Sequence, residues 1–306
     1  MVPYDKVFGK ADDSSLQTED IKKEEVMKEE AKKAFKNYTG NYDTGDIKIR
    51  LKIDHTYRVA EIAGIIASSV GADKDFSWIL GLLHDIGRFE QLKRFDTFID
   101  KDSIDHARLG ADILFKDGLI EKFPTGFFTG ENDFFPDKEK DLMAMAETAV
   151  RVHNKLALPK DLDETTDLYC RILRTADKVD IMRVLTEPPY DERNEAIVKG
   201  SKDGSMLPAR DEVMRCVSEH RCVPKTFERT DFESLISQCC MCFELDFPIG
   251  WEIVKSQGYL MSMMSLPVED KQMADQLAIL RHEMNKAWER EARNSSGITF
   301  DGADHI

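Results

Sequence analysis

The 306-residue chain is 42% hydrophobic and 33% charged, a globular composition with enough apolar material for a sizeable core, and its 43 Lys and Arg against 58 Asp and Glu leave a net charge of −15. That surplus repels a phosphate backbone and argues against general binding to nucleic acid or anionic membranes, while a small phosphorylated ligand in a locally cationic pocket stays open. The stretch "MVPYDKVFGKADDSS" is charged where a secretory leader needs an apolar run, and no segment reaches the ~20 consecutive apolar residues of a membrane span, so a cytoplasmic protein is expected.

Residues 1 to 18 lack periodicity and read as a loose arm. Helical patterns follow in "EDIKKEEVMKEEAKKAFKNY" near 19 to 38 and in "DIKIRLKIDHTYRVAEIAGIIASSVG" at 46 to 71, where Val59, Ile62, Ala63, Ile66 and Val70 recur at three- and four-residue spacing and Gly71 is a plausible stop. Further helices are expected from 73 ("DKDFSWILGLLHDIGRFEQL"), 103 ("SIDHARLGADILF"), 137 ("DKEKDLMAMAETAVRVH") and 161 ("DLDETTDLYCRILRTADKVDIMRVL"), each with Ser or Asp at a possible N-cap. The stretch 122 to 138, rich in Gly, Pro and Phe, suits a lid or simple core packing equally. Residues 186 to 212 suit a boundary before helices at about 210 to 220, 230 to 247 and 268 to 293, the last packed on one face. A tail at 294 to 306 closes the chain. No strand run stands out, so the expected fold class is all-α.

Six cysteines, Cys170, Cys216, Cys222, Cys239, Cys240 and Cys242, form no CxxC pair and no disulfide framework, which suits a reducing compartment. "CCMC" at 239 to 242 reads as small apolar residues on a buried helix rather than as a soft-metal site.

The stretch "WILGLLHDIGRFE" sets His84 and Asp85 side by side after an apolar run, and burying an imidazole with a carboxylate is costly unless each is paired or bound to a metal. His55, His106, His153 and Asp177 lie on other expected helices, which a bundle can turn inward to build a metal site in its core. Successive residues of a helix differ by about 100° in direction, so His84 and Asp85 reach one ion together only near a helix end or where two ions sit side by side. Imidazole with carboxylate suits Fe, Mn, Zn or Co. A lone histidine is ordinarily a satisfied core or surface group, and His220, His282 and His305, which have no companions, are read that way.

His55, then His84-Asp85, then Asp177 resembles the H…HD…D signature of the HD-domain superfamily of metal-dependent phosphohydrolases, an all-helical fold, with "KIDHTYRVAEIA", "LGLLHDIGRFEQ" and "ILRTADKVDI" as the matching motifs over about residues 46 to 185. His106 and His153 resemble the two extra histidines of HD proteins with a dinuclear centre. The resemblance thus implies six ligands, His55, His84, Asp85, His106, His153 and Asp177, and as cofactors two divalent transition-metal ions (Fe, Mn, Zn, Co or Ni). With the boundary at 186 to 212, an HD helical bundle is expected at 19–186, its metal site at 46–185, and a carboxy-terminal helical extension packed on it at 187–293. His55, His84, Asp85 and Asp177 would hold the first ion, and Asp85, His106 and His153 the second, with Asp85 as the bridge. The implied reaction is hydrolysis of a phosphoester or phosphoanhydride, of a nucleotide by family analogy, with Asp85 at the reacting centre and Arg88 and Lys178 as candidates to meet charge on the phosphoryl oxygens. Lys52 and Arg58, three residues either side of His55, are lesser candidates, and Asn154 is placed to orient a ligand or cap a helix.

Two other readings carry weight. The same ligand set resembles that of dinuclear-iron HD oxygenases such as inositol oxygenase and the phosphonate-degrading HD oxygenase. The latter carries a tyrosine and a glutamate shortly before its first histidine, whereas "NYDTGDIKIRLKID" offers Tyr42 but no glutamate. The other reading is a metal-stabilised, non-enzymatic scaffold whose carboxy-terminal helices form a partner surface. "HNKLALP" after His153 departs from the "HHE…GYP" pattern of HD-type cyclic dinucleotide phosphodiesterases.

Overall fold

In the computed structural model the chain is described for residues 17–129, 134–135, 141–186, 207–224 and 229–296, and every regular element among them is a helix. The fold class is therefore all-α, as expected. The amino-terminal part comprises α1 (Gln17–Thr39), α2 (Ile47–Ser69), α3 (Lys74–Leu83), α4 (Ile86–Phe95), α5 (His106–Ala111), α6 (Leu142–Val152) and α7 (Glu164–Thr186). The rest comprises α8 (Asp211–Ser218), α9 (Asp231–Cys240), α10 (Pro248–Gln257), α11 (Tyr259–Met264) and α12 (Lys271–Ser296).

Short polar side chains start these helices by accepting from backbone N–H groups that have no partner inside the helix. Asp46 caps α2 through Lys48 N, Asp73 caps α3 through Asp75 and Phe76 N, Asp105 caps α5, and Asp141 caps α6. Helix α2 ends where expected, with Gly71 at φ +67°, a left-handed backbone that costs glycine little.

Helix α2 is the axis of the amino-terminal part. Its buried face, which includes Ile49, His55, Val59, Ile62, Ala63 and Ile66, packs against α3 on one side and α7 on the other. The approach to α3 is close because Gly81 has no side chain: a Cβ there would lie 2.5 Å from Ala60 Cα. A second close approach joins α4 to α5, where a Cβ on Gly87 would lie 2.2 Å from the His106 carbonyl oxygen and 2.6 Å from Gly110 N. These two contacts set the distances from His55 to His84 and from Asp85 to His106. Gly87→Ala is therefore expected to push α4 off α5 and lower stability by about 1–3 kcal/mol, the usual cost of overpacking, visible as a drop in melting temperature of several degrees. A melt within a degree of wild type would show that the pair is not tightly packed.

Three features differ from the sequence reading. The helix expected from 73 onward is two helices, because the chain breaks at His84-Asp85, with Asp85 at φ −102° and ψ 16°. The helix expected at 230 to 247 stops earlier: α9 ends at Cys240 in a 3₁₀ turn (Met241–Glu244), and Pro248, favoured in a first helical turn, opens α10. Helices α10 and α11, divided by Gly258 at φ +75°, fall in a stretch given no separate helices. The described part of 122 to 138 packs on the core. Phe123, Phe127 and Phe135 are buried, Trp78 stacks on Phe127 at 6.0 Å, and Phe135 on Tyr169 at 5.6 Å. The boundary expected at 186 to 212 lies mostly outside the described residues, as do most of the arm at 1 to 18 and most of the tail at 294 to 306.

Helices α10 and α11 pack against α7, and α12 buries Met273, Leu277, Leu280, Met284 and Ala287 along a single face. Five cysteines are buried, Cys222 is half-buried, and none belongs to a group of potential metal ligands among the described residues. Among the described residues no helix is long and apolar enough to cross a membrane.

Candidate metal centre

Most of the chemistry-bearing side chains sit at helix ends. His84 follows α3 as its C-cap and Asp85 precedes α4 as its N-cap, so the break between the helices turns both inward. Asp85, although in an N-cap position, makes no capping bond. His106 opens α5 and His153 ends α6, while His55 and Asp177 project from the middle of α2 and α7. The four imidazoles and Asp85 are buried, and the side chain of Asp177 is 17% exposed.

The two oxygens of Asp85 divide the cluster. Oδ2 faces His84 Nε2 at 3.5 Å and His55 Nε2 at 3.7 Å, and Asp177 Oδ1 closes this half at 3.1 Å from His55 Nε2 and 3.7 Å from His84 Nε2. Oδ1 faces His106 Nε2 at 3.5 Å and His153 Nε2 at 3.8 Å, and those two nitrogens are 3.1 Å apart. Ligand atoms of His55, His84 and Asp85, of His84, His153 and Asp177, and of Asp85, His106 and His153 each lie within 4.8 Å of one another.

The far side of every ring is anchored. His84 Nδ1 lies 2.7 Å from the Gly81 carbonyl and His153 Nδ1 2.7 Å from that of Val150. His55 Nδ1 lies 2.7 Å from Asp180 Oδ2, and His106 Nδ1 2.7 Å from Asp100 Oδ2. A carbonyl or carboxylate only accepts, so each Nδ1 carries a proton, and each ring in its neutral form turns the Nε2 lone pair inward. His106 and His153 then oppose two lone pairs at 3.1 Å, and His55 opposes one to a carboxylate oxygen at the same distance. Nε2 of His55 and of His84 are buried and have no hydrogen-bond partner. So many converging acceptors repel unless cations lie among them, and a set of imidazoles and carboxylates matches a divalent transition metal.

The electrostatics agree. Burial pushes the Asp85 carboxyl up, but Lys52, His84 and Arg88 outweigh it and hold the group well below the usual carboxylate range. Lys52 Nζ donates to Asp85 Oδ2 at 2.8 Å, and Arg88 Nε stands 3.6 Å from Oδ1. Both cations pack on the ring of Phe98, at 5.6 and 5.7 Å from its centroid. Asp177, Asp100 and Asp180 are likewise held below their ordinary range against the opposing effect of burial. Burial drives His84 down to about 4, and burial with Arg88 drives His106 down to about 3. These two rings are therefore neutral at pH 7, the form that binds a metal. His55 moves the other way, since Asp177 and Asp180 together outweigh burial and Lys52.

The shifts carry a sign for stability. As pH falls below the ordinary histidine value of 6.5, the unfolded chain takes up protons at His84 and His106 before the folded chain does, so stability is lost from there towards about 4 and 3. The carboxylates Asp85, Asp100, Asp177 and Asp180 extend the loss below their ordinary 3.8, and His55, with its raised value, offsets part of it. Chelator-treated protein should thus show a falling denaturant midpoint between pH 7 and 4.5. A constant or rising midpoint would contradict the assignment.

The remaining expected residues fall in different places. Lys178 Nζ pairs with Glu244 Oε2 at 2.6 Å, and Arg174 stands 3.7 Å from the same oxygen. Arg58 grips Asp180 with Nε at 2.6 Å and Nη2 at 2.9 Å, so it supports His55 indirectly. Asn154 donates to Asp100 and Asp105. His220 pairs with Glu283, away from the cluster, His282 is exposed, and His305 lies outside the described residues. Asp100 and Asp180 went unnoticed in the sequence. Asp180 carries a usable signal, a carboxylate one turn beyond Asp177 in an apolar helix, whereas Asp100 is one of several acids in an irregular stretch.

No curated protein and no solved structure gives a significant match to the chain. The HD domain family matches residues 53–182, a span that contains all six converging groups and Asp100 and Asp180. Residues 53–182 are therefore an HD domain, the domain of a superfamily made up mostly of metal-dependent phosphohydrolases, and the buried His/Asp cluster is compatible with its metal site.

Proposed function

We propose that the chain is a phosphohydrolase that uses two divalent transition-metal ions to cleave a phosphoester or phosphoanhydride, of a nucleotide by family analogy. The observation that carries this reading is the division of Asp85, whose Oδ2 faces His55 and His84 while its Oδ1 faces His106 and His153. In that arrangement Asp85 with His55, His84 and Asp177 would hold one ion, and Asp85 with His106 and His153 would hold the other. Such ions, when bound, supply Lewis acidity toward a phosphoryl oxygen and lower the pKa of a water nucleophile.

The chain's own groups do the rest. The Nδ1 anchors hold each imidazole in one tautomer and one plane, so no reorganisation is needed when substrate arrives. Arg88 Nε, buried, without a hydrogen-bond partner and 3.6 Å from Asp85 Oδ1, is the donor placed to meet negative charge on a phosphoryl oxygen. Lys52 stands at the other oxygen of Asp85. Lys178 is a lesser contributor because Glu244 already neutralises it. The −15 overall charge does not oppose an anionic substrate at a site where Lys52 and Arg88 are the nearest fixed cations.

Phosphate release from a panel of nucleotides and simple phosphoesters, with and without added Mn²⁺, tests the proposal. Metal-dependent release from at least one of them is expected. Oxygen consumption by iron-loaded protein without phosphate release would replace the reading with an oxygenase, and neither activity in metal-loaded protein would favour the scaffold.

A further inference from the structure

Asp100 lies outside the ring of six groups, on the 3₁₀ turn Asp100–Asp102 between α4 and α5. Its Oδ1 lies 2.8 Å from His106 Nδ1 and accepts from the Arg88 guanidinium at 3.0 Å and the Gln91 amide at 2.9 Å. Its Oδ2 lies 2.7 Å from His106 Nδ1 and accepts from the Asn154 amide at 3.2 Å, next in the chain to His153. One carboxylate thus touches the ring of His106, the cation beside Asp85 Oδ1 and the neighbour of His153. Across Asp85, Asp180 backs His55 in the same manner, but its cation is Arg58, whose Nε and Nη2 both bond Asp180.

The geometry points to Asp100 as a positioning residue that makes the second ion and the phosphoryl-facing arginine one unit, an inference that rests on the dinuclear phosphohydrolase reading above. A carboxylate opposite Nδ1 fixes the tautomer and plane of His106 and raises the basicity of Nε2, the atom turned to Asp85 Oδ1. The same oxygen, with Gln91 Oε1 at 2.8 Å and the Phe98 carbonyl at 2.7 Å, takes the Nη1 donors of Arg88. The terminal nitrogen is thereby committed away from the cluster, and Nε is left facing Asp85. Removing the negative charge of Asp100 loosens both at once. Asp180 has no such double duty, so its loss is confined to the His55 half.

The test is a titration of Mn²⁺ into chelator-treated wild type, Asp100→Asn and Asp180→Asn, followed by inorganic phosphate into each protein at saturating Mn²⁺. Asp100→Asn should keep the first Mn²⁺ affinity, lose about 10- to 100-fold on the second, and bind phosphate at least about tenfold more weakly even when both ions are present. Asp180→Asn should weaken the first ion and leave the second. Unchanged second-ion affinity in Asp100→Asn would overturn the inference, as would equal weakening of both ions, which marks a purely structural role. Full recovery of phosphate binding at saturating Mn²⁺ would overturn the coupling to Arg88. Wild type that takes a single ion, or that binds no phosphate when loaded, would instead overturn the underlying reading and this inference with it.

Discussion

Asp85→Asn is expected to abolish metal-dependent hydrolysis, by at least about 10²- to 10³-fold, and to remove both ions at micromolar concentrations rather than one. The substitution keeps the size of the side chain and removes one negative charge that faces both pairs of imidazoles. An amide offers one oxygen and a donor nitrogen, so one half of the cluster would meet N–H groups where it now meets an acceptor. The fold pays as well, since Lys52, 11% exposed, loses the carboxylate that it contacts at 2.8 Å. Leaving one partner of a buried pair uncompensated costs about 3–5 kcal/mol, so the metal-free variant should melt well below metal-free wild type. Metal content by mass spectrometry and a thermal melt check the two halves separately. Retention of either ion at wild-type affinity would remove Asp85 from its bridging role.

His106→Ala has a narrower consequence. Nε2 of His106 faces Asp85 Oδ1 and His153 but not His55, His84 or Asp177, so its loss should remove one of the two ions and leave the set of His55, His84, Asp85 and Asp177. Hydrolysis should fall by about 10²-fold or more if both ions share the phosphoryl charge. Metal analysis of the purified variant decides the matter: one ion per chain is expected, and two would take His106 out of the ligand set.

What could be read from sequence here was set by local chemistry. An apolar run that ends in His84-Asp85 forces the question of how a buried imidazole and carboxylate are compensated, and the 100° step between neighbours already required a helix end or two ions. The structure has the helix end, and Asp85 turns one oxygen to each pair of imidazoles. The cap Asp73 was also legible, because a cap depends on a few consecutive residues, whereas α5 and α6 start later than their expected stretches from 103 and 137, on Asp105 and Asp141. Contacts between distant segments were not legible. Nothing near Lys178 tells that Glu244, 66 residues away, neutralises it, and nothing near Asp100 tells that it faces His106 on one side and Arg88 on the other. The division of the carboxy-terminal stretch into α9, α10 and α11 has local signals in Pro248 and Gly258.

The central claim, that six groups from five separate stretches of chain hold two ions joined through Asp85, is tested most directly by electron paramagnetic resonance of protein loaded with two equivalents of Mn²⁺. Ions that share a carboxylate are magnetically coupled, so the account predicts two bound ions per chain with the spectrum of an exchange-coupled pair. A spectrum of isolated ions, or one ion per chain at saturation, would contradict it.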